Sequence, residues 1–229
     1  VIGNDIVDLR FVDFPAYCHV NYLERVCTPA EAWAIRHSAD PCTSLAIVWA
    51  AKEAAYKSVS TQMACRYFNP RRFDSGFVGW NGRNGAIQMS VTFAGDKIAA
   101  TVTIADRYVH AVATVPETKL VCSKIGTIEN PFSKRIHPRQ ESEAARLLAS
   151  DLLRSTGRAD LVLKFSERVP ILCEETGARS EVEIGLSHHG AYCAVAIASG
   201  QDGAPPNVEL NSNIHGDFFV EESCSTFTA

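Results

Sequence analysis

The sequence predicts an α+β protein of two similar halves, each an antiparallel sheet packed against a long helix. Three observations carry this reading. Long helical stretches occur over 44–59 and 138–157. Short β-branched runs bounded by turn residues follow in each half. The segment 110-HAVATV-115 is echoed by 193-CAVAIA-198, and each closes one half. The expected organisation is a first half over 1–115, a connector over 116–132, a second half over 133–199, and a poorly ordered tail over 200–229, rich in Gly, Pro, Asn, Ser and Asp.

Taken in order, 1-VIGNDIVDLR-10 reads as a strand running into a turn or a first helical turn. In 28-TPAE-31, Thr28 and Glu31 have capping-box spacing and Pro29 falls at the first helical position, which predicts a helix over 29–37. The segment 40-DPCT-43 reads as a break before a second helix over 44–59. From Gly85 the period changes to alternation, and 86–93, 97–105 and 108–115 predict an antiparallel meander. In the second half, Pro138 opens a helix and Gly157 closes it, with Ala144, Leu147, Leu148 and Leu152 on one face. Strand-like runs follow at 161–165, 169–172 and 192–198.

The chain of 229 residues is 46% hydrophobic and 21% charged, a globular composition with enough length for a substantial core. Its formal net charge of -4 argues against an overall field that would draw nucleic acid or anionic lipid. None of the eight cysteines forms a CxxC pair, so the usual zinc spacing is missing. With no secretory leader pattern and no apolar run of membrane-spanning length, the expectation is a cytoplasmic protein with reduced thiols. The first residue is Val, as expected of a chain lacking its methionine or of a domain within a longer one.

Three short stretches carry the candidate chemistry. In 49-WAAKEAAYK-57, Glu53 and Lys57 lie four apart on a helix and share a face with Trp49. Taken alone, they read as an ordinary i,i+4 ion pair. Asp5, in 3-GNDIVDL-9, sits within an apolar strand, where an isolated carboxylate is costly unless paired or bound to a cation. The plain alternative is a turn aspartate, which suits Asp8 better. In 186-LSHHGAYCAVAIA-198, Ser187 and His188 precede a buried strand and could bind phosphate, or form a polar surface turn.

Together, Gly3, Asp5, Ile6 and Asp8, then 25-RVCTPAE-31, then Trp49, Lys52, Glu53, Ala54 and Lys57 resemble the 4'-phosphopantetheinyl transferase superfamily. The first half is most similar to the small holo-acyl-carrier-protein synthases. The second, through 133-SKRIHPRQESEAARLLASDLLRS-155, the VPIL near 170 and LSHH at 186, resembles the first half of the larger, surfactin-synthetase-activating type. The halves would then stand in swapped order within a fused pseudodimer, which is expected to act as a monomer.

The resemblance implies transfer of phosphopantetheine from coenzyme A to a serine of an acyl or peptidyl carrier protein, releasing 3',5'-ADP. It implies Mg2+ held by Asp5 and Glu53, with Glu53 and Lys57 as the catalytic pair. The serine proton goes to Glu53 or to a metal-bound water. Coenzyme A contacts are expected from Lys52, Lys57, Ser187 and His188, from Lys134, Arg135 and Arg139 at its 3'-phosphate, and from Arg168 near the adenine. Two departures bear on this. Val7 stands where the larger type has a third carboxylate, and 168-RVP-170 replaces Gly-Lys-Pro. Arg25, Arg66, Arg71 and Arg72, with Tyr67 and Phe68, are candidates for a carrier-facing surface. The host context would be polyketide or fatty-acid synthesis, with the chain free-standing or part of a megasynthase. The alternatives are a non-catalytic module that binds coenzyme A or a carrier protein, and a metal-dependent phosphate-ester hydrolase.

Overall fold

The computed structural model describes residues 1–10, 20–60, 67–80, 82–116, 118–128, 138–166 and 169–200. Residues 201–229 of the expected tail, and with them Arg66, Lys134, Arg135 and Arg168, lie outside the described residues. The fold is α+β, with antiparallel sheets as expected. β1 (Ile2–Asp8) is followed by three helices: α1 (Val20–Val26), α2 (Pro29–Arg36) and α3 (Pro41–Ser60). A short 3-10 turn (Pro70–Arg72) leads into β2 (Phe73–Asp74), β3 (Gly85–Phe93), β4 (Asp96–Ile104) and β5 (Tyr108–Thr114). Then come β6 (Thr118–Thr127), α4 (Pro138–Ser155), β7 (Val162–Ser166), β8 (Val169–Cys173), β9 (Glu183–His189) and β10 (Tyr192–Gly200).

Five strands form the first sheet in the order β1-β5-β4-β3-β2. The second has the order β6-β10-β9, and β7 pairs with β8. The predicted meander is therefore β3-β4-β5, and β1 joins its edge with Ile2 opposite Thr114 and Asp8 opposite Tyr108. Helix α3 packs across β1, β5 and β4, and α4 across β10, β9 and β6.

Helix α3 begins earlier than its sequence suggests. Asp40 caps it: one carboxylate oxygen accepts the Cys42 and Thr43 backbone N–H groups at 2.9 and 3.1 Å, and Pro41 occupies the first turn, where a missing N–H is harmless. What reads as a break is a start signal. The capping box at Thr28 and Glu31 forms as expected.

The alanines of α3 have a purpose visible at β1. A Cβ on Gly3 would lie 1.9 Å from the Ala54 carbonyl oxygen and 2.3 Å from the Ser58 nitrogen. Strand and helix backbones meet there, and only glycine permits it. Residues 3, 5 and 7 of β1 alternate with 4, 6 and 8 across its two faces. That close approach brings Asp5 to α3.

Two expectations fail at the seam between the sheets. Residues 118–127, expected within a connector, are the strand β6, paired with β10. Ser187 and His188, expected at a turn, lie inside β9. A strand was hard to see at 183-EIGLSHH-189, because glycine and histidine are poor strand formers. Its composition answers to β1 instead. β1 is an edge strand, and the Ile6 N–H donates to Ser187 Oγ at 3.1 Å while the Asp8 N–H donates to His189 Nδ1 at 2.9 Å. Gly185 gives room to Asn4, whose side chain would lie 2.5 Å from an added Cβ. Alternate residues of β9 thus satisfy an open sheet edge that would otherwise bury unpaired amides.

Candidate functional site

The site lies where β1, α3 and β9 meet. Asp5 is buried, with 2% of its surface exposed, on the β1 face that looks at α3. Glu53 and Lys57 project from α3 one turn apart. The Lys57 Nζ lies 2.8 Å from Asp5 Oδ1 and 2.6 Å from Glu53 Oε1. One ammonium therefore draws together two carboxylates from a strand and a helix. This is more than the i,i+4 pair that spacing alone predicts, because Asp5 comes from 52 residues away in sequence. Val7, two residues after Asp5, is part of the apolar core.

Burial works on both charges. It lowers the Lys57 pKa well below the usual lysine value and raises the Glu53 carboxyl to about 8. A hydrogen bond from the Trp49 side chain to Glu53 acts the other way. Trp49, Glu53 and Lys57 thus form one line along α3, and Trp49 is itself braced edge-on against Phe68 with ring centroids 5.7 Å apart.

Lys52 does not join this group. It is fully buried, and its Nζ donates to the Val26 carbonyl at 3.0 Å, Glu31 Oε2 at 2.6 Å and the Pro70 carbonyl at 3.1 Å. Glu31 also accepts from the Ser75 N–H and hydroxyl and from the Thr28 N–H. All three ammonium protons and both carboxylate oxygens are used, as a buried ion pair requires. A phosphate contact by Lys52, expected from the motif, conflicts with this placement. Lys52 instead ties α2, α3 and the 3-10 turn together.

From the second sheet, His188 meets the first turns of α4. Its Nδ1 is 3.4 Å from Glu141 Oε2 and its Nε2 is 3.3 Å from Ser142 Oγ. Burial lowers its pKa; Glu141 opposes that and Lys57 adds to it. Lys57 is therefore close enough for its charge to be felt at the imidazole. Ser187 is buried at the seam, where its hydroxyl serves the β1 edge. Arg139 lies exposed in the first turn of α4. Arg71 and Arg72 are exposed in the 3-10 turn beside Tyr67, itself 75% exposed. Phe68 instead packs against Trp49 and Tyr56.

Sequence reasoning missed Glu141 and His189. It read Asp8 as a turn aspartate, which it is, since Asp8 Oδ1 accepts the Arg10 N–H at 3.0 Å, without showing its tie to the second sheet. Asp8 is buried and accepts the Ala191 N–H at 3.0 Å and the Arg10 guanidinium at 2.9 Å, pinning β1 to the turn before β10. The recoverable signal was the alternation Gly185, Ser187, His189 facing Asn4, Ile6 and Asp8.

A cleft of about 220 Å³ opens beside Lys57. Its walls come from β1, the end of α3, the start of β8, the approach to β9, and β9 itself. Among the described residues, no group of three or more His, Cys, Asp and Glu side chains is placed to hold a metal ion. Nor is any helix among them long and apolar enough to cross a membrane.

Residues 1–113 match the family model of the 4'-phosphopantetheinyl transferase superfamily. No curated protein matches the chain. The matched segment contains Asp5, Glu53 and Lys57 and ends within β5.

Proposed function

With residues 1–113 a domain of the 4'-phosphopantetheinyl transferase superfamily, we propose that the protein transfers phosphopantetheine from coenzyme A to a serine hydroxyl of an acyl or peptidyl carrier protein and releases 3',5'-ADP. The observation that carries this is the convergence of Asp5, Glu53 and Lys57 from two elements of that domain. In the reaction the serine oxygen forms a bond to the phosphorus bearing pantetheine. The bond from that phosphorus to the oxygen of the departing 3',5'-ADP breaks, and the serine proton leaves. Repulsion between nucleophile and diphosphate must be reduced and charge on the leaving group stabilised.

The residues fit magnesium. Their donors are oxygens alone, and two carboxylates directed at one cation are what such an ion commonly takes from protein, with water and substrate phosphates completing its shell. Asp5 and Glu53 would hold it, and the bound ion would neutralise diphosphate charge. Lys57 would donate to the same phosphates. Glu53, in its ionised form, would accept the proton of the serine hydroxyl. His188 would contact the diphosphate from the second sheet, and the basic residues Lys134, Arg135 and Arg139 would border the ligand. Coenzyme A would occupy the cleft beside Lys57, at the kind of junction where pockets commonly form. We place the carrier protein against Arg71, Arg72 and Tyr67.

The test is intact mass of an apo carrier protein after incubation with this protein, coenzyme A and magnesium, with EDTA in the control. The expected result is one added phosphopantetheine, abolished by EDTA. Coenzyme A binding without transfer to any carrier would support a binding module instead. Release of 3',5'-ADP without a carrier would mark a hydrolase.

A further inference from the structure

α4 and β7 carry a surface that the proposed transfer does not use. A groove of about 540 Å³ runs between them. Arg146, Ser150 and Arg154 stand on its helix wall, and Leu161, Leu163 and Phe165 on its strand wall. Among the described residues, β7 pairs on one side alone, with β8. Its other edge presents backbone N–H and C=O groups that no described strand takes, and such an edge accepts a further strand. Phe165 is 45% exposed beside that edge.

The groove is basic as well as apolar. The Arg146 guanidinium lies over the Phe165 ring, 4.8 Å from its centroid. Arg154 donates through Nε to the Ser150 carbonyl at 3.3 Å and meets Asp151 at 3.8 Å, an exposed pair of the kind that holds weakly. Both arginines are exposed, and each has donors left for a carboxylate. They stand eight residues apart on α4, about 12 Å along the helix axis. Two carboxylates four residues apart on one strand face are about 13 Å apart. The surface therefore fits an extended segment that shows acid, apolar, acid on one face.

The chain carries such a segment outside the described residues. In 217-DFFVEE-222, Asp217, Phe219 and Glu221 alternate onto one strand face, and aromatic and β-branched residue types suit a strand. From Gly200, at the end of β10, the chain to Asp217 can span up to about 55 Å. A domain of this size is roughly 40 Å across, so the groove is within reach. The tether makes docking intramolecular, and a weak intrinsic affinity then suffices. A second copy of this chain fits less well, because joining two β7 edges would gather the arginines of two α4 helices at one interface.

We propose that residues 217–222 add as a strand to the open edge of β7, with Asp217 and Glu221 meeting the two arginines of α4 and Phe219 closing the groove over Phe165. The proposal is independent of the transferase reading. It gives a brace to the β7–β8 hairpin, whose Val169 and Pro170 stand on the wall of the cleft beside Lys57.

The experiment is hydrogen exchange of the full chain, read on the peptide that contains β7. Wild type is compared with Phe219→Ser, with Asp217→Lys/Glu221→Lys, and with the latter combined with Arg146→Glu/Arg154→Glu. The expected result is that each tail variant speeds β7 exchange roughly tenfold or more while the core strands of the first sheet keep their protection. The combined charge swap should restore slow exchange at β7. Equal β7 exchange in wild type and both tail variants overturns the proposal. So does β7 protection that rises with protein concentration alongside a dimer in sedimentation, which would put a second copy in the groove. Failure of the swap to restore protection, with α4 itself still protected, overturns the pairing. If α4 loses protection in the swapped chain, the single exchange Glu221→Lys with Arg154→Glu takes its place and is read the same way.

Discussion

Glu53 and Lys52 are neighbours in sequence with opposite tasks. Glu53 meets Lys57 on the side of α3 that faces β1; Lys52 is sealed among α2, α3 and the 3-10 turn. Glu53→Gln keeps shape and removes charge. Turnover should fall roughly 100- to 1000-fold, the scale of losing one preorganised electrostatic contact, with the melting temperature held. Turnover near wild type would remove Glu53 from the proposed chemistry. Lys52→Met should do the reverse. It strands Glu31 in the core and should cost about 3–5 kcal/mol in urea unfolding, while the affinity of the folded protein for coenzyme A stays unchanged. A large loss of affinity with stability intact would return Lys52 to the ligand site. Sequence spacing put both residues in one motif. It could not show that a helix buried on nearly every side gives adjacent residues different surroundings.

At the scale of elements, the decisive contact is β1 on α3. Gly3→Ala should force the strand off the helix, because the added carbon meets backbone atoms that cannot rotate away. The expected loss is about 3 kcal/mol or more, measured by chemical unfolding, and Asp5 should lose its bond to Lys57 in a structure of the variant. The first half was largely legible in sequence. The capping box, the meander and the strand bearing Asp5 follow from turn residues and periodicity. The second half was less so. β6 mixes lysines into its alternation, and β9 carries glycine, serine and histidine because it faces a strand edge rather than an apolar layer. Local propensity cannot register a partner more than a hundred residues away. Glu141 escaped notice for the same reason: its meaning depends on His188.

At the scale of the whole molecule, burial leaves a mark on pH dependence. His110 and His189 are both held below the usual histidine value of 6.5 by desolvation, and so is His188. All three favour the neutral form when folded. As pH falls below about 6.5, the unfolded chain binds protons that the folded one refuses, so stability declines with falling pH. The decline starts near the unfolded value and ends at the lowered folded ones. The histidines should therefore lower the melting temperature between pH 7 and pH 5. Glu53 contributes in the opposite direction, because its raised carboxyl binds its proton in the folded state over the same window. His110→Gln should make the pH response less destabilising on the acid side. An unchanged slope in the variant would exclude His110 as a contributor.

The strand order carries a consequence for how the chain finds its shape. β10 runs between β6 and β9, and β1 pairs with β5. Ile2 must wait for Thr114, and Thr127 for Tyr192. Neither sheet can zip up from a local hairpin alone, so refolding should be slow, governed by the search for distant partners. A nascent chain that has not yet reached Tyr192 would hold β6 and β9 as two unsatisfied edges, a window for aggregation that closes when β10 arrives.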